Sequence, residues 1–147
     1  YYQSLGSITD EYGTKTSLFE DAKSLNAEVQ NVGNLFFQKK PSEIYHFGLT
    51  KTQEESYFLD DVSKSSVISD APDKTIVSVF TDNTNAKYVM VVNKDYTNAV
   101  KGNLVLKKSA TIEEYNKVTN KFSALFSGSS AVYMNIKPGD CVIYRIS

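Results

Sequence analysis

Tryptophan is absent from this chain of 147 residues, and cysteine, histidine and arginine occur once each, as Cys141, His46 and Arg145. A single cysteine excludes a disulfide within the chain and any multi-cysteine metal site. With only one histidine beside it, the side chains that hold transition metals are scarce, and no cofactor is expected. An excess of positive charge is missing too. Sixteen Lys and Arg against seventeen Asp and Glu give a net charge of −1, without the clustered basic surplus of a nucleic-acid binder. No run approaches the ~20 apolar residues of a membrane-spanning helix. Tyr1-Tyr2-Gln3-Ser4 carries neither a basic n-region nor an apolar h-region of a signal peptide, and the expectation is a piece of something longer. Ser-His-Asp order, a Gly-rich phosphate loop and metal-ligand spacings are all lacking.

What is present is length for about one domain and abundant aromatics, ten Tyr and eight Phe. The strongest periodic signal lies in residues 17–38. Leu18, Ala22, Leu25, Val29, Val32 and Phe36 recur at spacings of four and three, the stripe of an amphipathic helix. Ser17 with Glu20 three residues on reads as a capping box. Lys39-Lys40-Pro41 reads as the stop, cations at the negative helix end followed by a residue that cannot continue the ladder.

Beyond Pro41 the texture becomes short β-type runs between turn residues. Ile44–Phe47 reads as a first strand closed by Gly48, Val67-Ile68 as a fragment, and Ala71-Pro72-Asp73 as a turn. Ile76–Thr81 and Lys87–Asn93 flank Asp82-Asn83-Thr84-Asn85 as a hairpin. Tyr88–Val92, apolar at every position, is expected at the centre of a sheet, covered on both faces. Gly102–Lys107, Glu113–Lys117, Lys121–Phe126, Val132–Ile136 and Cys141–Ile146 complete the series, and Pro138-Gly139 fits a type II turn. The fold class this implies is mainly β: an antiparallel β-sandwich of about eight strands, preceded by one long N-terminal amphipathic helix. Residues 1–40 form the helical segment and residues 41–147 the sandwich domain.

The chemical inventory is thin. Acid pairs stand at Asp10/Glu11, Glu54/Glu55, Asp60/Asp61 and Glu113/Glu114. Neighbours on a strand point to opposite faces, whereas glycoside hydrolysis needs two carboxyls facing each other across one sugar, so these pairs read as solvated surface. His46 reads as a structural histidine and Cys141 as a buried, inert thiol. Aromatic rings that stack on sugars are the remaining option, with Tyr57, Phe58, Tyr96, Tyr115 and Tyr133 as candidate contacts.

These segments in their order resemble a known architecture. Ile8-Thr9-Asp10-Glu11-Tyr12-Gly13-Thr14-Lys15-Thr16, leading into the helix and then Ile44–Gly48, resembles the end of a (β/α)8-barrel glycoside hydrolase, where a D-x-x-G-x-x-T loop enters the last barrel helix. Lys87–Asn93, the stretch Glu113–Lys121 and the stretch Met134–Tyr144 are similar to strands and hairpins of that family's C-terminal domain. Asn120 stands where the family pattern has Gly; Asn tolerates the left-handed region, so the turn is expected to survive. The resemblance implies a non-catalytic accessory domain of an extracellular or periplasmic hydrolase. Its catalytic carboxylates would lie upstream of Tyr1, and none is carried over to this chain. The implied partners are the upstream barrel and carbohydrate, with a homodimer through the helix of residues 17–38 as a further expectation. The alternative is a carbohydrate-binding module of an exported polysaccharide-processing protein.

Overall fold

The computed structural model describes residues 7–49 and 61–147. Among them are helix α1 (Ser17–Phe36) and seven strands: β1 (Lys40–His46), β2 (Ile68–Asp70), β3 (Thr75–Thr81), β4 (Lys87–Asn93), β5 (Val100–Asn116), β6 (Lys121–Ile136) and β7 (Cys141–Ile146). All pairings are antiparallel, in the order β1-β3-β4-β7-β5-β2, with β6 on β5. The mainly β class with one helix ahead of it is what the residue pattern implies.

Four runs expected as separate strands are merged into two. The segments 102–107 and 113–116 belong to the 17-residue β5, with Lys117 in the turn just past its end, and 121–126 and 132–136 to the 16-residue β6. Register shifts between Val105 and Glu113 let β5 bend without ending its ladder. Its first part pairs with β2 and its last part with β7, so the sheet curls over on itself. Val77, Val79, Val89, Val91 and Tyr144 from one layer thereby meet Ile68, Leu104, Leu106, Val132 and Met134 from the other in one buried cluster.

Strand β4 lies between β3 and β7, with Val89 and Val91 fully buried in that cluster. Tyr88 is buried on its other face, and Met90 and Val92 are half-buried there, so β4 is covered on both sides as its composition implies. Pro41 falls in edge strand β1, where its missing N–H interrupts no ladder on the open side. The turns also follow the sequence. Gly139 has φ 66° with the Asp140 N–H donating to the Lys137 carbonyl at 3.1 Å, as a type II turn requires. Asn120 has φ 56°.

The helix differs in two particulars. Its N-cap is Thr16, not Ser17, and no side chain caps it. The Thr16 hydroxyl is turned away, donating to the carbonyls of Ser7 at 2.7 Å and Ile8 at 3.1 Å. Glu20 reaches Lys23 at 3.8 Å instead of returning to the helix start. The helix also ends at Phe36, where the Lys39 N–H donates to the Phe36 carbonyl at 2.9 Å and β1 starts one residue later. The expected cation is in place: Lys39 Nζ bonds to the Leu35 carbonyl.

No residue of α1 is buried. The side formed by Glu28, Asn31 and Phe36 holds the helix to the sheet: Asn31 Nδ2 donates to the Lys117 carbonyl at 2.7 Å, Glu28 lies 3.5 Å from Lys117 Nζ, and the Phe36 ring sits 4.2 Å from that of Phe80. Leu18, Leu25 and Val29 remain exposed.

Candidate functional site

Two loops are built on the same four-residue frame, Asp-x-Thr-Asn. In the β3–β4 hairpin, Asp82 Oδ1 accepts from the Thr84 N–H at 2.8 Å and the Thr84 hydroxyl at 2.7 Å. In the β4–β5 loop, Asp95 Oδ1 accepts from the Thr97 N–H at 2.9 Å and the Thr97 hydroxyl at 2.7 Å. Short polar side chains bonded to backbone two residues on are how such turns are fixed. The hydroxyl of Thr84, despite some burial, and the other donors hold the Asp82 carboxyl down at about 2. The Thr97 hydroxyl, then Lys74, then the Thr97 and Asn98 N–H groups hold Asp95 far below the usual carboxylate range.

The second loop is tied down more heavily. Buried Asn93 accepts from the Asp95 N–H at 2.8 Å, and its amide donates to the carbonyls of Asn98 at 2.8 Å and Lys137 at 3.0 Å. Gly139 N–H donates to the Asp95 carbonyl at 3.0 Å. Against this loop stands Lys74, in the left-handed region at φ 65°, uncommon for a non-glycine residue. Its N–H donates to the Phe47 carbonyl and its carbonyl accepts from Lys94 N–H, at 3.1 and 2.8 Å. Lys74, Lys94, Asp95, Tyr96 and Thr97 line an open groove of about 320 Å³, at the small end of the ~300–1,000 Å³ of small-molecule sites. The Tyr96 ring is 86% exposed at its edge. Lys74 Nζ donates to Asp95 Oδ2 at 2.9 Å and Lys94 Nζ to the Phe47 carbonyl at 3.0 Å. Burial, more than the opposing pull of Asp73, lowers the Lys94 pKa.

The remaining candidate aromatics do not gather here as a set. Tyr133, on β6 opposite Asn103, is 64% exposed. Tyr115 is buried, which corrects its reading as a sugar contact. Its ring packs 5.1 Å from that of Phe122 and its hydroxyl donates to Asn120 Oδ1 at 2.6 Å, beside the Asn31 carbonyl. Strand parity turns it inward, and the helix covers its hydroxyl. Tyr57 and Phe58 lie outside the described residues, as do Glu54, Glu55 and Asp60.

Among the carboxylates, Glu113 and Glu114 occupy successive positions of β5, so the strand points them to opposite faces, and Glu113 binds Arg145 Nε at 2.5 Å. Asp61 accepts from Ser63 N–H at the start of a short 3-10 turn. His46 is half-buried at the end of β1; burial and the nearby Lys94 charge lower its pKa and keep the ring neutral. Cys141 is half-buried where full burial was expected, and burial raises its thiol pKa. The described residues hold no group of three His, Cys, Asp or Glu that could bind a metal. No described helix is long and apolar enough to cross a membrane.

Another heavily bonded carboxylate, Glu43, escapes sequence reasoning. It accepts from the hydroxyls of Ser65 at 2.5 Å, Ser66 at 2.6 Å and Tyr45 at 2.9 Å, and from Ser66 N–H at 3.2 Å. Burial pushes its pKa up, but these donors outweigh it and bring the pKa below the ordinary value. The donors lie more than twenty residues downstream or on the same strand, and no local pattern announces them.

The D-x-x-G-x-x-T loop is structural in each of its marked positions. Asp10 Oδ1 accepts from the N–H groups of Tyr12 and Thr14 at 2.9 and 2.7 Å, Gly13 takes φ 78°, and Thr16 starts the helix while tying it to Ser7 and Ile8.

No family model matches the chain, and no curated protein matches it. Two solved structures overlay on part of it. A provisionally assigned alpha-galactosidase/melibiase from Bacteroides fragilis is 16% identical, with a TM-score of 0.42, over 53% of this chain and 17% of that one. A provisionally assigned alpha-N-acetylgalactosaminidase from Bacillus halodurans is 13% identical, with a TM-score of 0.42, over 55% of this chain and 19% of that one. The chain thus spans under a fifth of the length of these proteins, and the overlays give no residue a role.

Proposed function

We propose that this chain is a non-catalytic accessory domain of an exported glycoside hydrolase, with α1 as the element on which the upstream catalytic barrel rests. The observation that carries this reading is the two-sided character of α1. At 100° per residue, Glu28, Asn31 and Phe36, which bind the sheet, fall on one side. Phe19, Ala22, Asn26 and Gln30 fall on the opposite side, where they line a groove of about 510 Å³ with Ile8. Leu18 at the angle of Phe36, Leu25 between Phe36 and Glu28, and Val29 just past Phe36 are exposed as well. A helix apolar well beyond its own contacts is one made to be covered from a second direction. The sandwich, by contrast, has its own closed core, to which α1 contributes nothing.

The test is enzymatic. The 147-residue chain alone should hydrolyse none of a panel of chromogenic glycosides, while the polypeptide extended upstream by the preceding codons should cleave at least one. Hydrolysis by the short chain would overturn the reading. So would an upstream sequence without alternating strand and helix patterns carrying Glu or Asp at strand ends.

A further inference from the structure

We propose that the groove of the β4–β5 loop is a subsite for a neutral pyranose ring, stacked on Tyr96 and held through its hydroxyls by the ammonium groups of Lys74 and Lys94. The choice of a sugar as ligand rests on the carbohydrate-active reading above; the groove itself is independent of it.

The comparison between the two Asp-x-Thr-Asn loops isolates what is unusual. Both use the same Asp and Thr bonds to fix the turn. The intervening residue is exposed in each. In the β3–β4 hairpin it is Asn83, an ordinary solvent-facing turn residue. In the β4–β5 loop it is Tyr96, whose large ring the turn does not require. That ring stands 86% exposed over a groove, on a backbone fixed by Asn93, Asp95 and Gly139. An exposed aromatic on a fixed backbone has only two side-chain torsions to order, so it is a stacking platform that loses little further entropy when a ring settles on it. Lys74 supports this, because a lysine kept at φ 65° is a strained choice of the kind found at ligand-binding positions.

Charge selects the class of sugar. Lys74 is paired with Asp95, and Lys94 is under the influence of Asp73, which weakens the pull of the two ammonium groups on an anionic sugar. Each ammonium has three donors and spends one on Asp95 Oδ2 or the Phe47 carbonyl. The others point the recognition toward hydroxyl oxygens. Asp95, already accepting from Thr97, Asn98 and Lys74, acts as scaffold and not as ligand contact.

The test is a titration of the 15N-labelled chain, followed by amide shifts, with neutral methyl pyranosides and short oligosaccharides of the gluco, galacto, manno and xylo series, and with glucuronate as the anionic control. The expected result is saturable shifts at Lys74 and residues 94–98 for at least one neutral sugar, with a Kd of about 1 mM. Tyr96→Ala should weaken it at least roughly tenfold, as loss of a stacking anchor does, with the rest of its spectrum unchanged. Tyr96→Phe and Tyr133→Ala should bind nearly as the parent does. Absence of saturable shifts for every neutral sugar, shifts confined to other residues, binding of glucuronate alone, or full binding by Tyr96→Ala would each overturn the proposal. None of those results touches the accessory-domain reading, which stands or falls on hydrolysis and the upstream sequence.

Discussion

Glu43 shows how one carboxylate can organise the meeting of two chain segments. Three of its four donors, from Ser65 and Ser66, bind β1 to the segment just ahead of β2, and hydrogen bonds to an ionised carboxylate are worth more than neutral ones. Because the group is only partly shielded from water, Glu43→Gln should cost about 1–2 kcal/mol, measured by urea unfolding at neutral pH. The difference should shrink as pH falls below the ordinary 4.5 and through the depressed folded value, where the parent carboxylate takes up its proton. Asn120 is a second case at this scale. It holds φ 56° and accepts from Tyr115. Asn120→Gly keeps the backbone but loses the side-chain acceptor, whereas Asn120→Ala loses both. Alanine should therefore be the more destabilising by about 1 kcal/mol, read as the difference between the two variants in denaturant midpoint. Equal loss in both would show that the backbone contributes nothing there.

Among the described residues, α1 is held by the polar bonds of Glu28 and Asn31 and by the Phe36–Phe80 ring contact, in contrast with the continuous core between the layers. Phe36→Ala should therefore release the C-terminal half of the helix while leaving the sandwich folded. Amide exchange is the direct check: protection should fall across residues 28–36 and stay unchanged in β3, β4 and β7, whereas a loss in all of them would mean that the helix and sheet unfold together. Much at this scale was legible in the residues. Strand β4 could be placed centrally because Tyr88–Val92 has no polar position to turn toward water, and the Pro138-Gly139 turn because only a few residues accept its angles. The merging of segments into β5 and β6 was not legible, because bulges let a polar, turn-like stretch stay within a ladder. Thr16 as N-cap was hidden for a related reason: its hydroxyl is claimed by Ser7 and Ile8, a tertiary fact that the Ser17/Glu20 spacing cannot reveal. Of the candidate site, the exposed ring of Tyr96 could be named from composition. Its companion Lys74 could not, because a loop more than twenty residues away brings it to the groove.

For the molecule as a whole, the titrating groups divide the pH dependence of stability into two windows. His46, ordinarily at 6.5, has its pKa lowered by burial and by Lys94. A base with a depressed pKa in the folded state contributes nothing above its unfolded value, where both states are neutral, and disfavours the folded state as pH falls below it. A first, shallow loss should thus begin below about pH 6.5. Glu43, Asp82, Asp95, Glu113 and Asp140 are all lowered from ordinary values of 4.5 or 3.8. The unfolded chain takes up those protons first, so a second and steeper loss should begin below about pH 4.5 and continue through the depressed folded values. Thermal unfolding from pH 8 to pH 3 separates the windows, and His46→Gln tells them apart. That variant should flatten the profile between about pH 6.5 and 5 and leave the acid limb in place. A step between pH 6.5 and 5 that survives the substitution would assign it to another group and remove His46 from the account.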